Sequence, residues 1–144
     1  MWRIRKLVRD DIPGVLAIQA SCPEMAQWTA TDYERIPGDT KAWVADGDDA
    51  IAGFLVVRTL GQETEILNIA VRRDVRRHGV GSMLLSQAIE WSKGLGAGRV
   101  LLEVRESNGA ALKFYQRNHF RAAGQRRAYY AAPAEDALLL DLRL

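Results

Sequence analysis

Cysteine is nearly absent from this sequence. The single Cys22 excludes an internal disulfide framework and any metal site built on several thiolates. Histidine is almost as scarce, and His78 has no second histidine at metal-ligand spacing. Long apolar runs are missing too: the stretch Ile51 to Val57 has seven residues, too few to span a bilayer. The stretch MWRIRKLVRDD is charged throughout and lacks a signal peptide's apolar segment. No repeat, low-complexity tract or linker divides the chain. At 144 residues, 48% of them hydrophobic, one domain can bury roughly 68–70% of its unfolded surface without staples. The expectation is one soluble domain over residues 1–144, a monomer without metal or membrane contact, in a reducing compartment, the cytoplasm.

Lysine is the scarce cation. Only four of the 20 basic residues are lysine; the rest are arginine, the better fork for phosphate and carboxylate oxygens. Arg72, Arg73, Arg76 and Arg77 fall within six positions. A dispersed net charge of +2 names no partner, whereas this cluster fits either an anion site or a solvated loop. Nucleic acid is not the expected partner, because no aromatic–basic stripe or helix-turn-helix accompanies the arginines.

Periodicity predicts a mixed α+β layout. A first strand covers Trp2 to Val8. A helix capped by Asp10 or Asp11 runs to about Ala20, and a short one starts at Thr31 on a Thr31-x-x-Glu34 capping box. Strands follow at Lys41 to Asp46, Ala50 to Leu60 and Glu63 to Val71. Arg72 to His78 reads as a loop. From Gly79 to about Leu95, Val80, Leu84, Ala88, Trp91 and Leu95 share one helical face. A strand at Arg99 to Val104, a helix at Ala110 to Asn118, and two strands at Phe120 to Arg127 and Ala137 to Leu144 complete the chain. The last two enclose a loop at Ala128 to Asp136.

The segment Arg76-Arg77-His78-Gly79-Val80-Gly81-Ser82 follows a strand and opens a helix. Two glycines remove side chains where backbone N–H groups must reach a ligand. A helix start adds about four unpaired N–H donors and a partial positive charge. Together they suit a pyrophosphate. Neither a Walker lysine nor the third glycine of a dinucleotide fingerprint is present.

Arg76-x-x-Gly79-x-Gly81 resembles the Gln/Arg-x-x-Gly-x-Gly/Ala signature of the GNAT N-acetyltransferases, and the element order resembles that family's fold over essentially the whole chain. The likeness is strongest from Glu65 to Phe120. Within the family, LNIAV, EVRESN, Ala111 to Phe120, and Tyr129-Tyr130 followed by Glu135-Asp136-Ala137 resemble the ribosomal-protein-alanine N-acetyltransferases of RimI type. The resemblance implies a mostly antiparallel twisted sheet of about seven strands flanked by about four helices. It implies acetyl-CoA as co-substrate, with its pyrophosphate on the backbone of Arg76, Arg77, His78, Gly79, Val80, Gly81 and Ser82. The pantetheine arm would lie along Ile69, Ala70 and Val71, and Asn108 would contact the coenzyme.

Glu103 stands in Val100-Leu101-Leu102-Glu103-Val104, a strand otherwise apolar on both faces. A buried carboxylate there needs a partner, with Arg105 the candidate two residues on, or a task as general base. The resemblance implies the second. Tyr115 reads as a half-buried core tyrosine, and the resemblance implies a general acid that protonates the departing thiolate. Asn108 or Ser107 caps the helix at Ala110. His119 stands where the family usually has glycine, which touches a turn only. Cys22 has no local base and reads as structural.

The reaction implied is direct attack of an amine on a thioester. An α-amine of pKa about 7.7–8.0 is far more often neutral at pH 7 than a lysine near 10.4, which favours a protein N-terminus. The implied partner is a ribosomal protein beginning with alanine; the alternatives are a small-molecule amine as acceptor, or a module that binds coenzyme A without catalysis. Trp28, Tyr33, Tyr129 and Tyr130 are aromatic candidates for holding it. Glu24, Asp32, Glu34, Glu135 and Asp136 offer negative charge to a basic peptide.

Overall fold

A run of antiparallel hairpins followed by one strand–helix–strand crossover dictates a sheet with a single parallel seam. The computed structural model, which describes residues 2–131 and 134–144, contains that sheet. Its strands are β1 (Arg3–Lys6), β2 (Thr40–Asp46), β3 (Ile51–Leu60), β4 (Glu63–Val71), β5 (Arg99–Arg105), β6 (Arg121–Ala131) and β7 (Ala134–Arg143). Their order is β1-β2-β3-β4-β5-β7-β6, antiparallel everywhere except between β4 and β5. Four helices flank it: α1 (Ile12–Ala20), α2 (Ala30–Glu34), α3 (Val80–Gly94) and α4 (Gly109–Arg117).

The helices form two layers. Val80, Leu84, Leu85 and Ala88 of α3 join Tyr115 of α4, Leu55, Ile66, Val100, Leu102, Val104 and Leu140 in the larger core. Trp91 packs edge-on against Trp43 of β2, ring centroids 5.9 Å apart. Leu95, expected on the same face, lies just past the helix end and is 53% exposed. On the opposite face Ile12, Val15 and Ile18 of α1 and Tyr33 of α2 cover Val44, Phe54, Val56 and Ala70.

Three sequence expectations shift. The capping box of α2 uses Thr29 and Asp32, not Thr31 and Glu34, so the helix begins one residue earlier. The loop expected at Ala128 to Asp136 is mostly strand, because β6 and β7 run on to Ala131 and from Ala134; Ala132 and Pro133 lie outside the described residues. The pattern was unreadable because β6 is exposed at nearly every position and its register slips between Arg126 and Tyr130, with Ala128 at φ +50°. Arg73–Val75, expected as irregular loop, forms a 3-10 turn.

The parallel seam is short. Among the described residues only Thr64↔Val100 and Glu65↔Leu101 pair β4 to β5. Beyond them β4 carries a bulge: Ile66 pairs Val57 and Asn68 pairs Val56, leaving Leu67 unopposed. A bulge bends its strand and increases local twist. Side-chain facing confirms it, since Leu67 and the next-but-two Ala70 join the α1 side while Ile66, Ile69 and Val71 join the α3 side. The paired end is stitched by charge. Arg99 of β5 binds Glu63 of β4 and, at 2.9 Å, Asp141 of β7, and Arg121 of β6 stands 3.6 Å from the second Asp141 oxygen. Asp141 is 2% exposed, and that second oxygen accepts no hydrogen bond among the described residues.

Removing this carboxylate leaves two arginines facing a buried seam. Asp141→Ala should cost about 2–4 kcal/mol, read as a lower urea midpoint at unchanged slope. His119 sits after α4 at φ +72°, a left-handed conformation that favours glycine. His119→Gly should therefore stabilise by about 0.5–1 kcal/mol and raise the melting temperature by roughly 1–4 °C.

Candidate active site

Beyond Glu65 and Leu101 the sheet opens. β3 follows β4 as far as Val71 and β7 follows β5 as far as Arg105, so each strand keeps its outer partner while the inner edges part. Ile69, Ala70 and Val71 thus pair with β3 on one side and, among the described residues, have no strand on the other.

At the mouth of the gap lies the loop between β4 and α3. Arg77 and Gly79 have φ of +70° and +81°, and open space surrounds the position a Cβ would take at Gly79. The first α-helical bond is Met83 N–H to the Gly79 carbonyl, at 3.0 Å. The backbone N–H groups of Arg77, His78, Gly79, Val80, Gly81 and Ser82 have no partner among the described residues. Gly81 serves packing as well: a Cβ there would stand 3.1 Å from the Phe114 ring of α4. These unpaired donors, without side chains at two of six positions, suit the oxygens of a diphosphate.

The arginine cluster is less available than its sequence suggests. Arg72 pairs with Asp74 at 3.0 Å, Arg73 donates to the Ser21 carbonyl, and Arg76 donates to the Val71 carbonyl and to Cys22 Sγ, both at 3.2 Å. Arg76 therefore ties the end of β4 to the end of α1 through its side chain. Arg77 and His78 are exposed and remain the side chains nearest to hand for an anion.

Glu103 and Tyr115 lie on opposite faces of the sheet. Alternation along β5 puts Val100, Leu102 and Val104 in the α3–α4 core, so Glu103 and Arg105 project toward the other side. The Glu103 side chain is 14% exposed, and its carboxylate meets Arg126 of β6 at 3.0 Å. The expected partner, Arg105, instead binds Glu135 at 2.9 Å. Tyr115 is 7% exposed among aromatic rings, Phe114 at 5.2 Å and Phe120 at 5.7 Å. Burial raises its phenol well above the ordinary value, so it holds its proton throughout the neutral range. Its hydroxyl has no hydrogen-bond partner among the described residues.

Asn108, not Ser107, caps α4, accepting from the Ala111 N–H at 3.2 Å. Ser107 donates to Glu135 instead, which joins Arg105 in holding the Glu135 carboxyl below the usual carboxylate range. Tyr130 lies under the Arg105 guanidinium, 4.1 Å from ring centroid to Cζ, and Tyr129 is 51% exposed with Arg126 at 5.3 Å. Burial, and next the Glu103 charge, raise the Tyr130 phenol.

Trp28 is half-buried in the α1–α2 loop, and Gln19 donates to its carbonyl at 2.7 Å. Tyr33, expected at the peptide rim, is instead a core residue, 2% exposed, donating to Gln19 at 2.5 Å and accepting from Asn68 at 3.5 Å. Burial pushes its phenol up to about 12. The acids expected to attract a basic peptide are mostly engaged: Asp32 caps α2, Glu135 holds Arg105, and Asp136 accepts from Gln125 and the Ala128 N–H. Glu34 faces Arg9 at 3.8 Å. Arg126 and Asn68 are the site neighbours that sequence reading missed. The signal for Arg126 was Glu103 itself, an acid in an apolar strand, but finding its partner needed the register of two further strands.

Among the described residues no three His, Cys, Asp or Glu side chains converge, and no helix is long and apolar enough to cross a membrane. The GNAT acetyltransferase family model matches residues 3–120, and the chain belongs to that family. It is 39% identical over 97 residues to the [ribosomal protein bS18]-alanine N-acetyltransferase of Salmonella typhimurium, an alignment spanning 66% of each chain. It is 31% identical over 140 residues to the putative enzyme of that name in Bacillus subtilis, spanning 95% of this chain and 92% of the relative. The crystal structure of the ribosomal-protein-S18-alanine N-acetyltransferase from Escherichia coli superposes with a TM-score of 0.86 at 28% identity, covering 99% of this chain and 94% of that one.

Alanine at position 79 would have to hold φ +81°, at a cost of about 1–3 kcal/mol. Gly79→Ala should weaken coenzyme A binding about tenfold in calorimetry. Arg73→Ala, whose side chain is spent on the Ser21 carbonyl, should bind as the unaltered protein does.

Proposed function

We propose that this chain acetylates the N-terminal α-amine of a protein, with acetyl-CoA as donor and the N-terminal alanine of a small-subunit ribosomal protein as acceptor. The observation that supports the reading is that a carboxylate and a neutral phenol lie on opposite faces of a sheet whose central strands stop pairing beyond Glu65 and Leu101. The names of the Salmonella and Bacillus relatives support the acceptor. A ribosomal substrate would place the enzyme in the cytoplasm.

Six unpaired N–H groups, the bare Gly79 and the unpaired inner edge of Ile69 to Val71 are the groups that would hold the coenzyme. When bound, it supplies an acetyl thioester. The amine enters from the α1–α2 face, where Trp28, Tyr129 and Tyr130 stand. Glu103 takes its proton, freeing the nitrogen lone pair. An α-amine suits a single carboxylate base because it is already partly neutral near pH 7. On the other face Tyr115 donates to the departing sulfur. Its raised pKa opposes complete transfer to a thiolate of ordinary basicity, about 8.5, so its main contribution is a hydrogen bond to developing charge.

Intact-mass measurement tests the reading. An alanine-starting basic peptide incubated with acetyl-CoA should gain one acetyl group, and blocking its α-amine should abolish the gain. Glu103→Gln should lower kcat by about 10²–10⁴-fold, and Tyr115→Phe by about 10-fold to 10²-fold. Turnover confined to polyamines or aminoglycosides would overturn the acceptor, and an undiminished Glu103→Gln rate would overturn the base.

A further inference from the structure

Three features surround Glu103 on its face of the sheet. Arg105 stands two residues along, fixed by Glu135 at 2.9 Å and stacked on Tyr130. Tyr130 carries a hydroxyl within the field of the Glu103 charge. Arg126 reaches across from β6, although β7 lies between the two strands. The ladder explains how. Glu103 pairs Leu139, which pairs Gly124, and Arg105 pairs Ala137, which pairs Arg126, so all six residues share a face. The small Ala137 lets the Arg126 side chain pass diagonally over β7 to the Glu103 carboxylate.

The two arginines differ in how firmly they are held. Arg105 has an acid of its own. Arg126 is 60% exposed, and its contacts among the described residues are Glu103, at 3.0 Å, and the Tyr129 ring, at 5.3 Å. A guanidinium this exposed keeps its hydration on leaving the pair and is easily exchanged. The carboxylate, 14% exposed, depends more on having a cation beside it than the guanidinium depends on the carboxylate.

Taking Glu103 as the base, as proposed above, we infer that Arg126 is an internal stand-in for the substrate ammonium: it occupies the Glu103 carboxylate until a protonated N-terminus displaces it. A guanidinium suits this place because it stays protonated and cannot discharge the base. The incoming ammonium can. One N–H bond of the ammonium breaks, its proton forms an O–H bond on Glu103, and the electron pair remains on nitrogen as the nucleophile. The displaced guanidinium has the exposed face of Tyr129 to rest on. Arg126 thereby selects acceptors that arrive as cations and can surrender a proton.

The experiment compares Arg126→Gln with Arg126→Lys, using an alanine-starting peptide and acetyl-CoA. Arg126→Gln should lower the peptide KM about threefold to fivefold, the scale of an exposed ion pair, and Arg126→Lys should restore the unaltered KM. Coenzyme A affinity should not move in either. Peptide affinity measured by calorimetry on Glu103→Gln protein should be insensitive to adding Arg126→Gln, since no carboxylate is left to compete for. A peptide KM that rises in Arg126→Gln would make Arg126 a direct peptide contact and overturn the inference, as would a KM that stays the same. Failure of the base is read separately: Glu103→Gln with full turnover removes the base, while the change in peptide affinity on Arg126→Gln alone still decides the exchange.

Discussion

Two rungs of parallel pairing, at Thr64 and Glu65 of β4, hold the two halves of the sheet together, and the proposed site lies beyond the point where they stop. Had β4 and β5 stayed paired, the edges at Ile69 to Val71 and at Glu103 would cover each other. The bulge at Leu67 bends one strand away, and β7 holds the other to its course. The Glu63–Arg99–Asp141 network keeps the opening from running through the whole sheet. A buried acid between arginines is a costly way to fasten strands, and it lies at the end where parting would be harmful.

The opening also accounts for the loop that follows β4. Val71 ends a strand already free on one edge, and after the 3-10 turn at Arg73–Val75 the chain enters α3 with its first amides unpaired. Arg72 and Arg76 secure that turn to β3 and to β4 itself, while the exposed Arg73 is spent on the Ser21 carbonyl. In this protein most of the conspicuous arginine cluster is scaffolding around the donors, and the donors are main chain.

How much of this was legible depended on range. The helical face of Val80, Leu84 and Ala88, the strand of Glu63 to Val71 and the glycine pair 79 and 81 are local patterns and could be read directly. Glu103 stood out because a carboxylate interrupts an apolar strand. Its partner did not, because Arg126 is brought to it by the registers of β5, β7 and β6, and β6 has no apolar alternation to announce itself. Tyr33 looked like a rim aromatic from composition alone; only the crossing of α2 over Phe54 and Asn68 buries it. The bulge left no mark in the sequence, since ILNIAV reads as uninterrupted strand.

The parted edges of β4 and β5 carry a mechanical consequence. A sheet is stiff across its strands only where cross-links are continuous, so the halves of this one are joined by a hinge as narrow as its seam. Any guest presenting amides of its own to those bare edges would supply the missing cross-links. Filling the wedge and bracing the scaffold would then be one event, and the emptied protein would be the more pliable of its two forms.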